Sequence, residues 1–327
     1  MRLVLLALFV VLGLLGAGSV WWLYHPLPLK ADPVELSIEA RASARSVAQA
    51  AVEAGIQVNP RLLYWWFRGS GYSRQIKAGN YEIGAGVTPL SLLTKLVRGE
   101  EAQRAVTLVE GATFREVRAA LLKADRLRPD SQGMSDSLVM EKLGRPDLNP
   151  EGRFFPDTYS YSKGSSDLAV LLRAMHAMDR RLEAAWQQRA PDLPLKTPEE
   201  VLILASIIEK ETGRPVDRPM ISGVFNNRLR IGMMLQTDPT VIYGLGDKFD
   251  GNLRKRDLRA DTPWNTYTRS GLPPTPIAMP GRASLLAAVH PAKTKALYFV
   301  ARGDGTSEFS ASLPEHNRAV NKFQLGK

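Results

Sequence analysis

The amino-acid sequence predicts an α+β protein with an amino-terminal transmembrane helix, a small α+β module and a larger α+β domain. An uncharged run fills Leu3 to Tyr24, strand and capped-helix patterns alternate over 34–100, and longer helices with a carboxyl-terminal hairpin follow. We therefore predict an anchor at 1–24, a linker with three prolines at 25–33, the module at 34–100 and the larger domain at 101–327.

The uncharged run has about the length that a helix needs to cross a hydrocarbon layer. Trp21, Trp22 and Tyr24 crowd its far end, as in an interfacial aromatic belt. A cleaved signal peptide remains the alternative, because residues 16–18 are small, although bulky tryptophans continue the run past them. Arg2 alone precedes the run, so the charge bias is weak, and we expect the polar body outside the cytoplasm.

Composition narrows the classes of function. The 327 residues contain no cysteine, which excludes disulfides and thiolate metal sites. The net charge of +10 is scattered among acidic residues, without an arginine-rich block or an aromatic RNA-binding pattern, so we expect no nucleic-acid partner. Anionic lipid or an anionic wall polymer next to a basic exterior explains the charge more simply.

The module reads as two short strands and three helices, listed here as predicted: Val34–Ile38, Ala42–Ala54, Pro60–Phe67, Gly79–Ile83 and Thr88–Gly99. The larger domain adds a strand, two helices and a hairpin around 303–305, listed likewise: Ala105–Val109, Thr113–Lys123, Asp217–Leu229, Tyr298–Val300 and Glu308–Ser310. Segments 151–159, 235–240 and 264–267 read as polar or aromatic loops, which often line sites.

The stretch from Thr197 to Gly213 is the most informative part of the larger domain. Thr197 with Glu200 has the spacing of a capping box, Pro198 suits the first helical position, and Gly213 followed by Pro215 is a stop signal. We therefore predict a helix over this whole stretch.

Glu211 projects near the centre of an apolar arc on this helix. At about 100° per residue, an arc of roughly 160° holds five aliphatic side chains. These are Val201, Ile203, Leu204, Ile207 and Ile208. A carboxyl group there is desolvated, its pKa rises, and it becomes able to act as a general acid near neutral pH.

For both acids of this helix, Glu211 and Glu209, a purely structural role remains open. Glu211 lies at the last turn of the helix, where it would reach water or pair with Arg214 or Arg218. Glu209 points away from the arc, on the side of Ser206, and the same structural interpretation is favoured for it.

Other familiar chemistries lack their motifs. The four histidines are far apart without an HExxH pattern, and neither a GxSxG elbow nor a phosphate-binding GxxxxGK[ST] loop occurs. We expect no metal and no cofactor. An acid in an apolar setting, near loops rich in Gln, Asn, Thr, Asp and Tyr, favours cleavage of a glycosidic bond.

The sequence resembles the endolytic murein transglycosylases of the MltG/YceG family over nearly its whole length. The similarity is carried by ASIIEKETGRPVDRPMISGVFNNRLRIGMMLQTDPTVIYGLGD, WNTYTRSGLPP, AAVHPAKTKALYFVARGDG and EGRFFPDTY. This resemblance implies a bacterial inner-membrane protein with a LysM-like module at 34–100 and a periplasmic catalytic domain. It implies internal cleavage of nascent peptidoglycan strands, which terminates their elongation, and peptidoglycan synthases as candidate partners.

The resemblance also implies site residues. The family's catalytic glutamate, the second in its Glu-Lys-Glu-Thr motif, matches Glu211. The matching cleft motifs give these candidate substrate-binding residues: Gln236, Thr237, Asp238, Tyr243, Asn265 and Tyr267. For each of them a structural role in a turn remains open. Trp264 stands where the family often has tyrosine, and Thr275 where it usually has glycine, so local substrate contacts differ.

Lytic transglycosylases are understood to use one acid, which first protonates the glycosidic oxygen and then accepts the proton of the muramyl 6-hydroxyl as a 1,6-anhydro ring closes. We expect the same two proton transfers of Glu211.

The alternative to an enzyme is a wall-binding scaffold protein that holds glycan without turnover.

Overall fold

A computed structural model describes residues 2–212 and 214–326, and at residues 2–5, 7, 8 and 15 it describes the helical backbone only. The predicted helix stop at Gly213 and the chain ends at Met1 and Lys327 lie outside the described residues. The chain divides into two compact units, Met1–Arg104 with Ser160–Gly164, and Ala105–Tyr159 with Ser165–Lys327. Each unit is described by itself below.

The first unit contains four helices and two strands among its described residues. They are α1 (Arg2–Tyr24), β1 (Val34–Ile38), α2 (Ala44–Glu53), α3 (Pro60–Gly69), β2 (Gly79–Ile83) and α4 (Pro89–Arg98). The two strands pair antiparallel, with Val34 opposite Ile83, and both match their predicted bounds. Among the residues that the structure describes, no helix combines the length and apolarity that crossing a membrane requires.

Local capping explains where the helices of the first unit begin. The Ser43 side chain accepts from the backbone N of Ser46, so α2 starts two residues later than predicted. Thr88 and Ser91 form a capping box at the start of α4, and Gly99 ends that helix with a left-handed φ of 73°. These short-range signals are readable in the sequence.

The second unit is mainly helical. Its elements, including the two strands shared at the division between the units, are β3 (Gln103–Thr107), α5 (Phe114–Lys123), α6 (Asp136–Lys142), β4 (Thr158–Ser162), α7 (Asp167–Gln187), α8 (Pro198–Glu211), α9 (Arg218–Arg230), α10 (Asp238–Leu245), α11 (Lys255–Arg259), α12 (Arg282–Val289), β5 (Tyr298–Ala301), β6 (Ser307–Ser310) and α13 (Leu313–Phe323). Strands β3 and β4 pair, and β5 and β6 form the predicted hairpin. The sequence did not predict α6, β4, α7, α10, α11, α12 or α13, and it read residues 238–240, the start of α10, as part of a polar loop. It also placed β3 two residues too late.

Helix α8 is the central helix of the second unit. It contacts α7, α9, α10 and α12, and every side chain from Val201 to Ile208 is buried. All five residues of the predicted apolar arc are buried, and Leu202 and Ala205 extend the apolar surface further around the helix. Ser206 fits this interior because its hydroxyl donates to Ile203 O and accepts from Ile277 N.

The start of α8 confirms only part of the predicted capping box. The Thr197 hydroxyl accepts from the backbone N of Glu200, at 3.2 Å, and Pro198 occupies the first helical position. The Glu200 side chain accepts from the backbone N of Lys196 instead of Thr197. The helix nevertheless begins where the sequence predicts.

Candidate active site

Glu211 is the last residue of α8, and it is partly buried. The buried hydroxyl of Thr237 donates to Glu211 Oε1. The pKa of Glu211 is raised to about 7, mainly by burial and also by the charge of Asp238, against the Thr237 hydrogen bond and the charge of Arg228, which favour ionisation. The carboxyl group is thus poised between its two protonation states near neutral pH.

Glu209 occupies a different environment on the same helix. One of its oxygens accepts from Arg218 at 3.0 Å, and the other accepts from the backbone N of Gly281 at 2.8 Å. The side chains of Glu209 and Arg218 are only 5% and 9% exposed. Arg218 therefore pairs with Glu209 and not with Glu211, which is the structural interpretation that the sequence favoured for Glu209.

Two loops, at residues 235–237 and 265–267, are hydrogen-bonded to each other next to Glu211. Gln236 is exposed with a left-handed φ of 48°, and its backbone N donates to Thr266 O at 3.0 Å. The backbone N of Thr237 donates to the Thr266 hydroxyl, which also shares a hydrogen bond with the Thr240 hydroxyl. These bonds fix Thr237 where its own hydroxyl can reach Glu211.

Arg228 of α9 holds the same loop from its interior side. Its Nη1 donates to the carbonyls of Leu235, at 2.8 Å, and Met234, at 3.2 Å, while Nε donates to Leu297 O at 2.6 Å. The guanidinium is thus fixed by backbone carbonyls and adds a positive charge near Glu211. The sequence analysis did not single out Arg228.

Tyr267 and Asp238 form a second polar pair next to the acid. The Tyr267 hydroxyl donates to Asp238 Oδ1 at 2.6 Å. Burial raises the pKa of Tyr267, and so do this hydrogen bond and the nearby charge of Glu211, so the phenol stays protonated. The structure thus brings together Glu211, Thr237, Asp238 and Tyr267 from three separate segments.

Asn265 lies in the interior. Its Nδ2 donates to the carbonyls of Asp257, Leu258 and Ala260, and its Oδ1 accepts from the backbone N of Tyr267. With the residue fully buried, these bonds give Asn265 the turn role that the sequence left open. It orients Tyr267 through the backbone.

A cleft of about 830 Å³ lies in the second unit. Its lining includes Lys210 and Pro239, the sequence neighbours of Glu211 and Asp238, together with Glu151, Tyr243 and Trp264. Carboxylates, hydroxyls and aromatic rings along one concave surface are typical of sites that bind sugars.

Tyr243 and Glu151 meet within this cleft. The Tyr243 hydroxyl donates to Glu151 Oε2 at 3.1 Å, and its ring packs edge-on against Trp264, with the centroids 5.6 Å apart. Trp264 Nε1 donates to the Thr275 hydroxyl at 3.0 Å, so the two departures from the family pattern touch each other. The sequence placed Glu151 in a loop typical of sites but gave it no role.

Within residues 2–212 and 214–326, no three His, Asp or Glu side chains lie close enough together to hold a metal ion. The site offers one partly buried acid and its hydrogen-bonding hydroxyls. Glu211 itself does not line the cleft, which reaches its sequence neighbour Lys210. Together the acid and these hydroxyls define an acid-base site suited to a polar substrate.

This chain belongs to the YceG-like family, whose sequence profile matches residues 36–322. It is 31% identical to the endolytic murein transglycosylase of Bacillus subtilis, over 90% of this chain and 86% of that protein. It is 26% identical to the endolytic murein transglycosylase of Streptococcus pneumoniae, over 96% of this chain but only 64% of that longer protein. A crystal structure of a YceG-like protein from Listeria monocytogenes matches with a TM-score of 0.55 and 28% identity, over 88% of this chain and 98% of that one.

Proposed function

We propose that this chain is an endolytic peptidoglycan lytic transglycosylase. It cleaves the bond between N-acetylmuramic acid and N-acetylglucosamine within nascent glycan strands, leaves 1,6-anhydro ends and so terminates elongation. The observation that carries this proposal is the partly buried Glu211, with a pKa raised to about 7, held by the Thr237 hydroxyl close to the bonded pair of Asp238 and Tyr267. The names of the curated relatives support the same reaction.

Glu211 alone performs both proton transfers. Protonated Glu211 donates to the glycosidic oxygen, the bond from the anomeric carbon to that oxygen breaks, and positive charge spreads over the sugar ring. The carboxylate then accepts the proton of the muramyl 6-hydroxyl, whose oxygen attacks the anomeric carbon and closes the anhydro ring. The second step returns Glu211 to its protonated form without water.

The neighbours of Glu211 suit these two steps. Thr237 donates to one carboxyl oxygen, Oε1, so a proton on the carboxyl group belongs on Oε2. Asp238 and Tyr267, already bonded to each other, are placed to contact the sugar, and the exposed Gln236 offers an amide on the same loop. Asn265 acts indirectly, by holding the backbone of Tyr267.

The products of purified glycan strands test the proposal. In water enriched in ¹⁸O, the wild-type protein should release fragments with anhydro ends and no incorporated label, as measured by mass spectrometry. Labelled reducing ends would instead identify a water-using muramidase. Strand binding without any cleavage would revive the non-catalytic scaffold alternative.

We also propose that α1 anchors the chain in the bacterial inner membrane, with the catalytic body on the periplasmic side. The support is the uncharged run from Leu3 to Tyr24 and the helical backbone from Arg2 to Tyr24. The full chain should resist extraction from membranes at alkaline pH, and a chain lacking residues 2–24 should be extracted. Equal extraction of both would refute the anchor.

We propose in addition that residues 34–100 form a LysM-like module, and two features of the first unit support this proposal. Its order is strand, two helices, strand, followed by α4, and Trp65 on α3 is 65% exposed, as a sugar-stacking ring would be. Trp65→Ala should reduce capture of the full chain by insoluble peptidoglycan, and unchanged capture would count against this role.

Peptidoglycan synthases are the proposed protein partners. Cross-linking in membranes should join this chain to a synthase, and cross-linked products without any synthase would count against this partnership.

A further inference from the structure

The cleft contains a buried carboxyl group, Glu151, that the proposed reaction does not use. Glu151 is only 4% exposed, although it lies on the loop before β4 and lines the cleft together with Tyr243. A carboxyl group removed from water requires hydrogen-bond donors. The two groups that donate hydrogen bonds to Glu151 determine the role of this side chain.

Both oxygens of Glu151 accept hydrogen bonds. Oε1 accepts from the backbone N of Phe114, the first residue of α5, at 3.0 Å. Oε2 accepts from the Tyr243 hydroxyl at 3.1 Å. The first donor has no alternative orientation, since a backbone N–H at the start of a helix is fixed by that helix.

The direction of the second bond decides what Tyr243 presents to the cleft. A phenol has one hydrogen, and this hydrogen is directed at Glu151. The phenol oxygen therefore acts as an acceptor; it has a hydrogen bond with the Thr275 side chain, and because Tyr243 lines the cleft, its remaining lone pair can accept from a ligand. A sugar hydroxyl or acetamido N–H is a matching donor.

We infer that Glu151 and Tyr243 form a sugar subsite in which Glu151 is a positioning residue that fixes Tyr243 as a hydrogen-bond acceptor for the glycan. This inference rests on the proposed function for its ligand. It assigns to Glu151 a role in binding strands and none in the bond cleavage, which Glu211 performs.

The electrostatics of the pair set the pH range in which this arrangement holds. Burial raises the pKa of Glu151 to about 7, while the hydrogen bonds from Tyr243 and Phe114 favour the ionised form, and the charge of Glu116 disfavours it. Burial and the nearby charge of Glu151 both raise the pKa of Tyr243, so the phenol keeps its hydrogen. Above pH 7, where Glu151 is ionised, its carboxylate accepts from the neutral phenol, and this arrangement leaves the phenol oxygen as an acceptor.

Glu151→Gln tests the direction of the bond. A glutamine carbonyl that keeps the Phe114 N–H turns its NH₂ group toward Tyr243, so the phenol hydrogen turns into the cleft. Tyr243→Phe removes the acceptor altogether. We expect each variant to raise KM for glycan strands about 10-fold with kcat within about twofold of wild type, because only binding is affected. The double variant should have the same KM as Tyr243→Phe alone, since both substitutions act on the same acceptor, the phenol oxygen of Tyr243.

Controls separate this subsite from a structural role and from the proposed reaction. Glu141→Gln makes the same change at an exposed position on α6 and should leave KM unchanged. Folded Glu151→Gln or Tyr243→Phe with wild-type KM would overturn the subsite, and so would additive effects in the double variant. If Glu151→Gln does not fold, Tyr243→Phe alone decides.

A binding measurement keeps the subsite testable if the reaction is not the proposed one. In the Glu211→Gln background, calorimetry with an N-acetylglucosamine tetramer should show about 10-fold weaker binding when Tyr243→Phe is added. Unchanged binding would overturn the subsite. A wild-type protein that makes no anhydro ends would refute the proposed function while leaving this result valid.

Discussion

At the scale of the residue, opposing influences set the protonation of Glu211. Burial and the charge of Asp238 hold its proton, while Thr237 and Arg228 stabilise the carboxylate that remains after the proton leaves. An acid with a pKa near the working pH has both the proton and the driving force to donate it. The same balance lets the carboxylate act as a base in the second step.

This balance predicts how the rate depends on pH. Because the first step needs protonated Glu211, kcat should fall about tenfold per pH unit above pH 7, the value to which its pKa is raised. Cleavage rates at saturating strand concentration from pH 5 to 9 measure this. A rate that stays constant up to pH 9, or a fall that begins near pH 4.5, would contradict the assignment of the acid.

The identity of Glu211 could be predicted from the sequence, but its surroundings could not. The helical arc and the family motif both select this residue from local spacing. Thr237 is 26 residues away and Glu151 is 92 residues from Tyr243, so only the folded chain shows those contacts. Asn265 was a fair candidate by residue type, yet the fold uses its amide inside a turn.

At the scale of the element, the carboxyl end of α8 must be held so that Glu211 keeps its position. Glu209 links this end of the helix to Arg218 at the start of α9 and to the backbone of Gly281. The pair is buried, so removal of one partner leaves an uncompensated charge in the interior.

Glu209→Ala should lower the free energy of unfolding by roughly 3–5 kcal/mol for this reason. Chemical denaturation of the full chain measures the loss. Asp179→Ala breaks the more exposed pair with Arg145 and serves as the control, with an expected change below about 1 kcal/mol. Equal effects of the two substitutions would show that the Glu209 pair does not hold the end of α8.

The elements themselves were predictable where their signals are local. The caps at Thr88 and Thr113 and the proline at 198 predicted helix starts correctly. The burial of α8 on all sides depends on α7 and α12, and α7 itself was missed. A central helix cannot be distinguished from an amphipathic one until its neighbours are known.

At the scale of the whole molecule, two carboxyl groups with raised pKa values make stability depend on pH. Burial raises the pKa values of Glu151 and Glu211 from 4.5 to about 7. Between these values the unfolded chain loses protons that the folded chain retains, so stability falls as pH rises. The full stability is present below pH 4.5, and each group costs up to about 3 kcal/mol above pH 7.

The free energy of unfolding of the wild-type protein should therefore decrease between pH 5 and pH 8. In the Glu211→Gln variant this decrease should be smaller. A neutral amide at this position has no proton to lose, so the variant should be more stable than wild type at pH 8. Denaturation at both pH values measures the difference. A pH dependence identical to that of wild type would mean that Glu211 is well solvated.

The most direct test of the central claim is the cleavage rate of Glu211→Gln on purified glycan strands, with Glu141→Gln as the matched control. Loss of a general acid should lower the rate about 100- to 10,000-fold, with the fold and strand binding retained, while the control cleaves at the wild-type rate. A folded Glu211→Gln protein that still releases anhydro ends at more than about a tenth of the wild-type rate would contradict the claim that this carboxyl group supplies the proton.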